Sequence, residues 1–222
     1  MDTGHNTRGR LALALVAVIA WFGVLLQLWL SIRIALGNGK TLADGFIAFF
    51  GYFTVLTNIF AALTSSLPLT VGRTRLGRWF GDGMVLGCAT TAILLVGIVY
   101  HLLLRNVWAP EGLQWVADMT LHYAVPIALF VYWISFPPSQ KLSIWAPLSW
   151  SLYPLIYLAY VFARGELIGS YPYHFIDVTN LGYVKALVNS LSLLIAFVVL
   201  GCVVNGIARL RRDQHTRPSI EE

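Results

Sequence analysis

The chain has 222 residues, of which 58% are hydrophobic and only 11% are charged, and its mean hydropathy is +0.72. Because roughly a quarter of the residues in a soluble domain are charged, this composition excludes an ordinary soluble protein and predicts an integral membrane protein. The formal net charge of +5 does not indicate a nucleic-acid partner, since the basic residues lie in short patches between apolar runs.

Six apolar runs follow one another along the chain, each long enough to cross a hydrocarbon core about 30 Å thick. They cover residues 11–35, 46–69, 84–104, 117–136, 146–163 and 183–208. Pro68 is expected to close the second run, and Pro154 to interrupt the fifth. The first run is too long for the apolar core of a signal peptide. We therefore predict an all-α polytopic membrane bundle of about six transmembrane helices in the plasma (cytoplasmic) membrane.

The basic residues predict the orientation of this bundle. With both termini in the cytosol, ten of the fifteen Lys and Arg residues lie on the cytosolic side, and the other five lie outside. Residues 1–222 then form a single membrane domain, with a cytosolic tail at 1–10, a six-helix bundle at 11–208 and a basic cytosolic tail at 209–222, which contains Arg217.

Small residues inside the apolar runs have structural interpretations. Cys88 and Cys202 both lie in apolar segments, so we expect two small buried side chains rather than a disulfide. Gly83 and Gly87 form a close-packing motif of the type that lets helices approach in a membrane. Apart from a weak haem or metal alternative at His101 and His122, no close His or Cys ligand pattern appears, so no cofactor and no metal site are predicted.

Polar side chains from separate runs fall at one predicted depth, near the outer boundary of the membrane. Thr54, Thr57 and Asn58 share one face of the second helix, because they are spaced at i, i+3 and i+4. Residues of later segments reach the same layer: His101, Asp118, His122, Tyr173, Asp177 and Asn189. Polar groups are costly in a bilayer and often mark function, so this layer is the candidate site.

The residue types in this layer fit nucleophilic catalysis. A threonine hydroxyl needs a base, and His122 could take the proton of Thr54. Asp118 could orient His122 or instead cap its helix. Asn58 or Tyr52 could donate to a developing oxyanion. This assembly describes a hydrolase for lipid esters, whose acyl chain arrives laterally from the bilayer.

Structural interpretations of the same residues stay open. Thr54 and Thr57 could each bond to a carbonyl one helical turn back. Asn58 and Asn189 could be interhelical hydrogen-bonding groups. His101 could be an interfacial histidine beside Arg105.

Three short motifs resemble the androgen-induced protein family, which includes the androgen-dependent TFPI-regulating protein (the FAR-17a-like family). They are Tyr52-Phe53-Thr54-Val55-Leu56, Leu121-His122-Tyr123-Ala124-Val125-Pro126, and Tyr171-Pro172-Tyr173 with Asp177. They occur in the order of the family and on corresponding segments, and the chain looks like a bacterial member.

The resemblance implies an activity. Animal members hydrolyse fatty-acid esters of hydroxy fatty acids with a membrane threonine and histidine, and these roles transfer to Thr54 and His122. The chain departs from the animal pattern in having Thr57-Asn58 where an acidic residue follows the threonine, and one residue fewer between His122 and Pro126.

Two other classes of function are alternatives to a hydrolase. A proton-coupled or small-solute transporter could relay protons through Asp118, His122 and His101, but the inner half lacks buried ionisable residues. A non-enzymatic membrane binding protein is a further alternative. The expected partners are membrane lipids and an amphipathic ester that enters from the bilayer, with no nucleic acid.

Overall fold

The computed structural model describes residues 3–216, and side chains for residues 7–211. Residues 1–2 and 217–222 lie outside this part of the chain. The second range contains Arg217 and the end of the predicted basic tail. Within it the fold is entirely helical, with no strand. The helices are α1 (Thr3–Gly37), α2 (Leu42–Gly51), α3 (Phe53–Thr70), α4 (Arg75–Phe80), α5 (Gly83–Val99), α6 (Gly112–Met119), α7 (Val125–Ser135), α8 (Ala146–Trp150), α9 (Leu152–Ile168) and α10 (Val178–Thr216). Turns of π-helix at Tyr100–Leu104 and Thr120–Ala124 extend α5 and join α6 to α7, and a 3-10 turn at His174–Ile176 precedes α10.

Six segments of the described chain are long and apolar enough to cross a membrane, which confirms the predicted all-α bundle. They are Thr7–Gly37, Phe53–Thr70, Gly83–Leu104, Gly112–Ser135, Ala146–Ile168 and Val178–Arg211. The outer faces are apolar as well, as the exposed residues Leu11, Leu15 and Val18 of α1 show. The chain is a multi-pass membrane protein; the orientation of its termini and the identity of the membrane stay predictions.

The core is centred on α5, which is the most buried of the six spans. A β-carbon added to Gly87 of this helix would lie 2.5 Å from the ring of Trp150, and one added to Gly83 would lie 2.7 Å from Pro138. Both glycines therefore act as close-packing positions. Both cysteines are free, but Cys88 is buried whereas Cys202 is exposed on α10.

The second predicted run is two helices rather than one. α2 begins after a capping box, in which Asp44 N–H donates to Thr41 Oγ1 (3.2 Å) and Thr41 N–H donates to Asp44 Oδ2 (2.8 Å). The helix ends at Gly51, because Tyr52 has an extended backbone (φ −88°, ψ 130°), and α3 begins at the next residue. Hydrophobic periodicity does not reveal such a break, since both helices are apolar.

Side chains of α9 stabilise this break. The carbonyl oxygens at the end of α2 have no partners within their own helix. The hydroxyl of Tyr157 donates to the carbonyl of Gly51 (3.0 Å), and that of Tyr160 donates to the carbonyl of Phe50 (3.2 Å). The break is therefore held by tertiary contacts.

Proline positions differ from the prediction in two places. Pro68 lies inside α3, which continues to Thr70, because a proline close to a helix end removes only one backbone donor. The fifth segment is interrupted at Ser151, between α8 and α9, and Pro154 lies in the first turn of α9, where a missing N–H is tolerated. α10 starts earlier than predicted, at Val178, and bends at Gly182 (φ 74°, ψ 160°).

Candidate functional site

A cavity of about 490 Å³ lies at the end of the bundle where α1 and α5 finish and where α3 and α6 begin. The connector between α9 and α10 contributes Pro172, Tyr173 and His174 to its wall. The volume is in the range of small-molecule sites. Five of the predicted site residues line it together: Tyr52, Thr54, Asp118, His122 and Tyr173.

Thr54 is nearly buried, at 8% exposure, in the first turn of α3. Its backbone N–H, one of the free amides at a helix start, donates to the hydroxyl of Tyr173 (3.2 Å). Its Oγ1 lies 3.3 Å from the same hydroxyl. The alternative in which Thr54 bonds to a carbonyl one turn back is therefore wrong.

Tyr173 can act as the donor in its bond to Thr54 Oγ1. Burial raises the pKa of Tyr173 to about 12, so its hydroxyl stays protonated at neutral pH. Because the Tyr173 oxygen accepts from Thr54 N–H, its own hydrogen is free to point at Thr54 Oγ1. This arrangement leaves the hydroxyl hydrogen of Thr54 available to another acceptor.

His122 lies in the π-helical turn Thr120–Ala124 and is held by Asp118. Its Nδ1 is 3.0 Å from the carbonyl oxygen of Asp118 and 3.2 Å from Asp118 Oδ1. Two acceptors at Nδ1 fix the proton there, which leaves Nε2 with a lone pair and, within residues 7–211, without a hydrogen bond. The ring also stacks on that of Tyr100, with centroids 3.9 Å apart.

Asp118 orients His122 and does not cap its helix. It lies in the last turn of α6, whose N-cap is Glu111, so the capping alternative is wrong. It is buried at 3% exposure and also accepts a hydrogen bond from the hydroxyl of Tyr100. Tyr100, Asp118 and His122 thus form one connected polar cluster.

The proline that follows His122 explains the position of Asn58. In the π turn, Val125 N–H donates to Thr120, so the carbonyl of Leu121 loses its usual α-helical donor. Pro126, which would be the next donor, has no N–H. Asn58 Nδ2 fills this vacancy by donating to the carbonyl of Leu121 (3.2 Å). It also donates to the carbonyl of Thr54 (2.8 Å).

Asn58 therefore links two helices by hydrogen bonds. Both hydrogens of its amide are used by carbonyl groups, which leaves no donor for an oxyanion. The predicted role of Asn58 as an oxyanion donor does not fit this geometry. Tyr52 stays a candidate for that role, since it lines the cavity beside Tyr173 (ring centroids 5.6 Å apart).

Asn58 and three further predicted candidates lie outside the cavity wall, and those three also have other partners. His101 is exposed and bonds to Tyr123 (3.1 Å) and Arg105 (3.0 Å). Asp177 accepts from the backbone N–H groups that start α10, and Asn189 donates to the carbonyl of Phe175 (2.8 Å). Their contacts are those of an interfacial histidine, a helix cap and an interhelical bond.

Thr57 and the metal alternative are also resolved in part. The Oγ1 of Thr57 is 3.1 Å from the hydroxyl of Tyr153, so Thr57 does not bond back to a carbonyl. In the described part of the chain there is no group of three or more His, Cys, Asp or Glu that could hold a metal ion. His101 does not line the cavity that His122 lines.

Sequence reasoning missed two features of the site. The sequence does not indicate a role for Tyr100 in the site, because a tyrosine at the end of an apolar run is typical of the aromatic residues at a membrane interface. Gln27 and Gln114 bond to each other across the cavity wall (2.9 Å). The depth argument that selected Thr54 would have selected both glutamines, since each lies near the same end of an apolar segment.

Comparisons of the chain with protein-family models, with curated proteins and with solved structures show no match.

Proposed function

We propose that the chain is an intramembrane threonine hydrolase of lipid (fatty-acid-type) esters, with Thr54 as the nucleophile and His122 as the general base. One observation carries this proposal: Thr54 and His122 line the same cavity, and Asp118 holds the base in a defined tautomer. Oriented imidazole beside a hydroxyl nucleophile is the arrangement that acyl transfer requires.

In this mechanism Thr54 Oγ1 attacks the ester carbonyl while its proton passes to His122 Nε2. His122 then returns the proton to the departing alcohol, which leaves an acyl group on Thr54. A water molecule, deprotonated by the same nitrogen, releases the carboxylic acid. The imidazolium formed in each step is stabilised by Asp118, 3.2 Å from Nδ1.

The start of α3 suits the negative charge that develops on the carbonyl oxygen. Thr54 N–H is unpaired within its helix and lies at the positive end of the helix dipole. Tyr173 bonds to this N–H, and its protonated hydroxyl is itself a donor. An oxyanion that binds here would accept from the Tyr173 hydroxyl, and from the Thr54 amide once that N–H is released from the Tyr173 oxygen.

Family resemblance supports the same assignment. We propose membership of the androgen-induced protein family, because the motif at 52–56 contains Thr54 and the motif at 121–126 contains His122. Both motifs border the one cavity, and the third contributes Tyr173 to it. If the three short motifs matched the family only by chance, there would be no reason for them to border one cavity.

A second candidate is a non-enzymatic membrane binding protein for amphipathic ligands. One observation favours it: Thr54 Oγ1 is bonded to Tyr173 rather than to His122. A hydrolase must let Thr54 reach His122 when substrate binds, whereas a binding protein has no such need.

The test is covalent labelling and ester turnover by the purified full-length protein. We expect a fluorophosphonate probe to label the wild type, and both labelling and turnover to be lost in Thr54→Ala and His122→Ala. Thr57→Ala is the matched control, because Thr57 is also buried on α3 and also bonds to a tyrosine hydroxyl.

The outcomes separate the two candidates. Loss of activity in Thr54→Ala but not in Thr57→Ala supports the hydrolase. Saturable binding of an ester by folded wild-type protein, with neither labelling nor turnover, rejects the hydrolase and favours the binding protein.

A further inference from the structure

A second, smaller cavity of about 70 Å³ lies on the other side of Thr54, between α3, α5, α9 and α10. Its wall is almost wholly apolar and includes Val96, Val99, Leu158, Leu193 and Leu194. Its serine, Ser190, donates its hydroxyl to the carbonyl of Ala186 (2.8 Å) and so offers no free donor. This cavity suits a hydrocarbon group.

The two cavities meet at Thr54. Thr54, Leu104 and Tyr173 line both, whereas His122 and Asp118 line only the larger one. The proposed nucleophile therefore stands at a boundary, with its base on one side and an apolar pocket on the other.

We propose that this boundary divides the substrate, with a short acyl group in the small cavity and the alcohol portion of the ester in the large one. The inference rests on the proposed hydrolase function. The group that protonates the leaving alcohol must reach the ester oxygen, and of the two cavities His122 lines only the large one. The alcohol consequently lies there, and the acyl group extends from Thr54 to the opposite side.

The size of the small cavity sets the length of the acyl group. For comparison, a dry apolar cavity of about 150 Å³ binds benzene. The cavity beside Thr54, at about 70 Å³, accepts only a few carbons. The large cavity, at about 490 Å³, accepts a bulky apolar alcohol. The inferred substrate class is a short-chain acyl ester of a large, mainly apolar alcohol, so the long chain of the proposed lipid ester lies in its alcohol portion.

The bonds of this reaction balance without a further reactant. Thr54 Oγ1 forms a bond to the acyl carbon, the bond from that carbon to the alcohol oxygen breaks, and the alcohol leaves with the proton carried by His122. Water then replaces Thr54 on the acyl carbon and restores its hydroxyl hydrogen.

The experiment measures kcat/KM for p-nitrophenyl acetate, butyrate, octanoate and palmitate, which share one alcohol. For the wild type we expect butyrate to exceed octanoate and palmitate by roughly tenfold or more, since each misplaced methylene in a fitted pocket costs about that factor. Leu193→Ala should enlarge the cavity and raise the octanoate-to-butyrate ratio. Ser190→Leu should fill it and raise the acetate-to-butyrate ratio.

The matched control is Leu191→Ala, because Leu191 is a neighbour on α10 that is 56% exposed and lines neither cavity. It should leave the ratios unchanged. Each ratio is taken within one protein preparation, so a smaller folded fraction does not alter it.

Two failures are distinguishable. If the wild type hydrolyses none of the esters, the proposed function fails and this inference fails with it. If the wild type hydrolyses palmitate as well as butyrate, or if Leu193→Ala and Ser190→Leu leave the ratios at the wild-type value, the division of the substrate is rejected while the hydrolase stands.

Discussion

Thr54 differs from the buried threonines Thr64, Thr90 and Thr91 through its place in a helix. Thr64, Thr90 and Thr91 each donate to a backbone carbonyl three or four residues back, which is the usual fate of threonine within a helix. Thr54 lies two residues after the break at Tyr52, so no carbonyl of its own helix lies one turn behind it. Its hydroxyl is consequently left to face the cavity.

We expect Asp118→Asn to lower kcat by about 10²–10⁴-fold, because an amide in place of the carboxylate no longer fixes the tautomer of His122 or stabilises the imidazolium. The substitution preserves size, and Tyr100 can still bond to the side chain. Steady-state kinetics on the ester that the wild type turns over best would measure the effect.

Tyr100→Phe is the matched control for Asp118→Asn. It removes one hydrogen bond to Asp118 but keeps the ring that stacks on His122. The loss of kcat should be much smaller than in Asp118→Asn. Wild-type kcat in folded Asp118→Asn would contradict a role for Asp118 in catalysis.

Asn58 should contribute to stability rather than to chemistry. Asn58→Ala leaves the buried carbonyl of Leu121 without a donor, which costs about 1–3 kcal/mol. We expect thermal unfolding at a lower temperature, with the ratios of ester rates unchanged. Asn189→Ala, which removes a half-buried bond to the carbonyl of Phe175, should cost less. Equal unfolding temperatures for Asn58→Ala and the wild type would reject this role.

At the residue scale, site residues could be predicted from the sequence where a polar side chain lies at the depth of the cavity. Thr54, Asp118 and His122 are polar groups near the same end of an apolar segment, and Tyr173 belongs to the connector expected to lie over that layer. All four line the cavity. Depth alone does not give the direction of a side chain. His101 has the right depth but bonds to Tyr123 on the exposed surface.

At the scale of the elements, the break between α2 and α3 creates the site, because it places a helix start at the depth of Thr54. The six spans followed from length and apolar composition, which are properties of the sequence. The break did not, since the hydroxyl groups that satisfy it come from Tyr157 and Tyr160, more than a hundred residues later. The π turn at Thr120–Ala124 likewise could not be predicted from the apolar pattern, although Pro126 lies just beyond it.

We expect the start of α2 to fray in acid. Hydrogen bonds from Thr41 and the positive charge of Lys40 hold the pKa of Asp44 below its ordinary value. A lowered pKa in the folded state means that this contribution to order is complete above the ordinary carboxyl pKa of about 3.9 and is lost as the pH falls through the lower folded value. Hydrogen exchange of the α2 amides, corrected for intrinsic rates, would measure this loss of order as the pH falls.

Asp44→Asn is the matched variant for this effect. It removes the charge at neutral pH, so its α2 amides should exchange faster than those of the wild type at pH 7. The two proteins should converge once Asp44 is protonated. A difference that persists unchanged below that point would contradict the titration of Asp44 as the cause.

At the scale of the whole molecule, the cavity lies at one end of the bundle, so the orientation of the chain decides which compartment it serves. Lys40 lies in the loop between α1 and α2 at the cavity end, and Arg73 lies in the loop between α3 and α4 at the other end. The excess of basic residues on the side of Arg73 predicts that this side is cytosolic. Substrate would then enter from the outer leaflet.

This orientation is testable with single cysteines in a background that carries Cys88→Ala and Cys202→Ala. A membrane-impermeant maleimide should label Lys40→Cys on intact cells, and should label Arg73→Cys only after the cells are permeabilised. Labelling of both variants after permeabilisation shows that each site is reactive. The reverse labelling pattern on intact cells would show that the bundle has the opposite orientation. The same six spans would then place Thr54 and its cavity on the cytosolic side, and the ester would have to come from the inner leaflet.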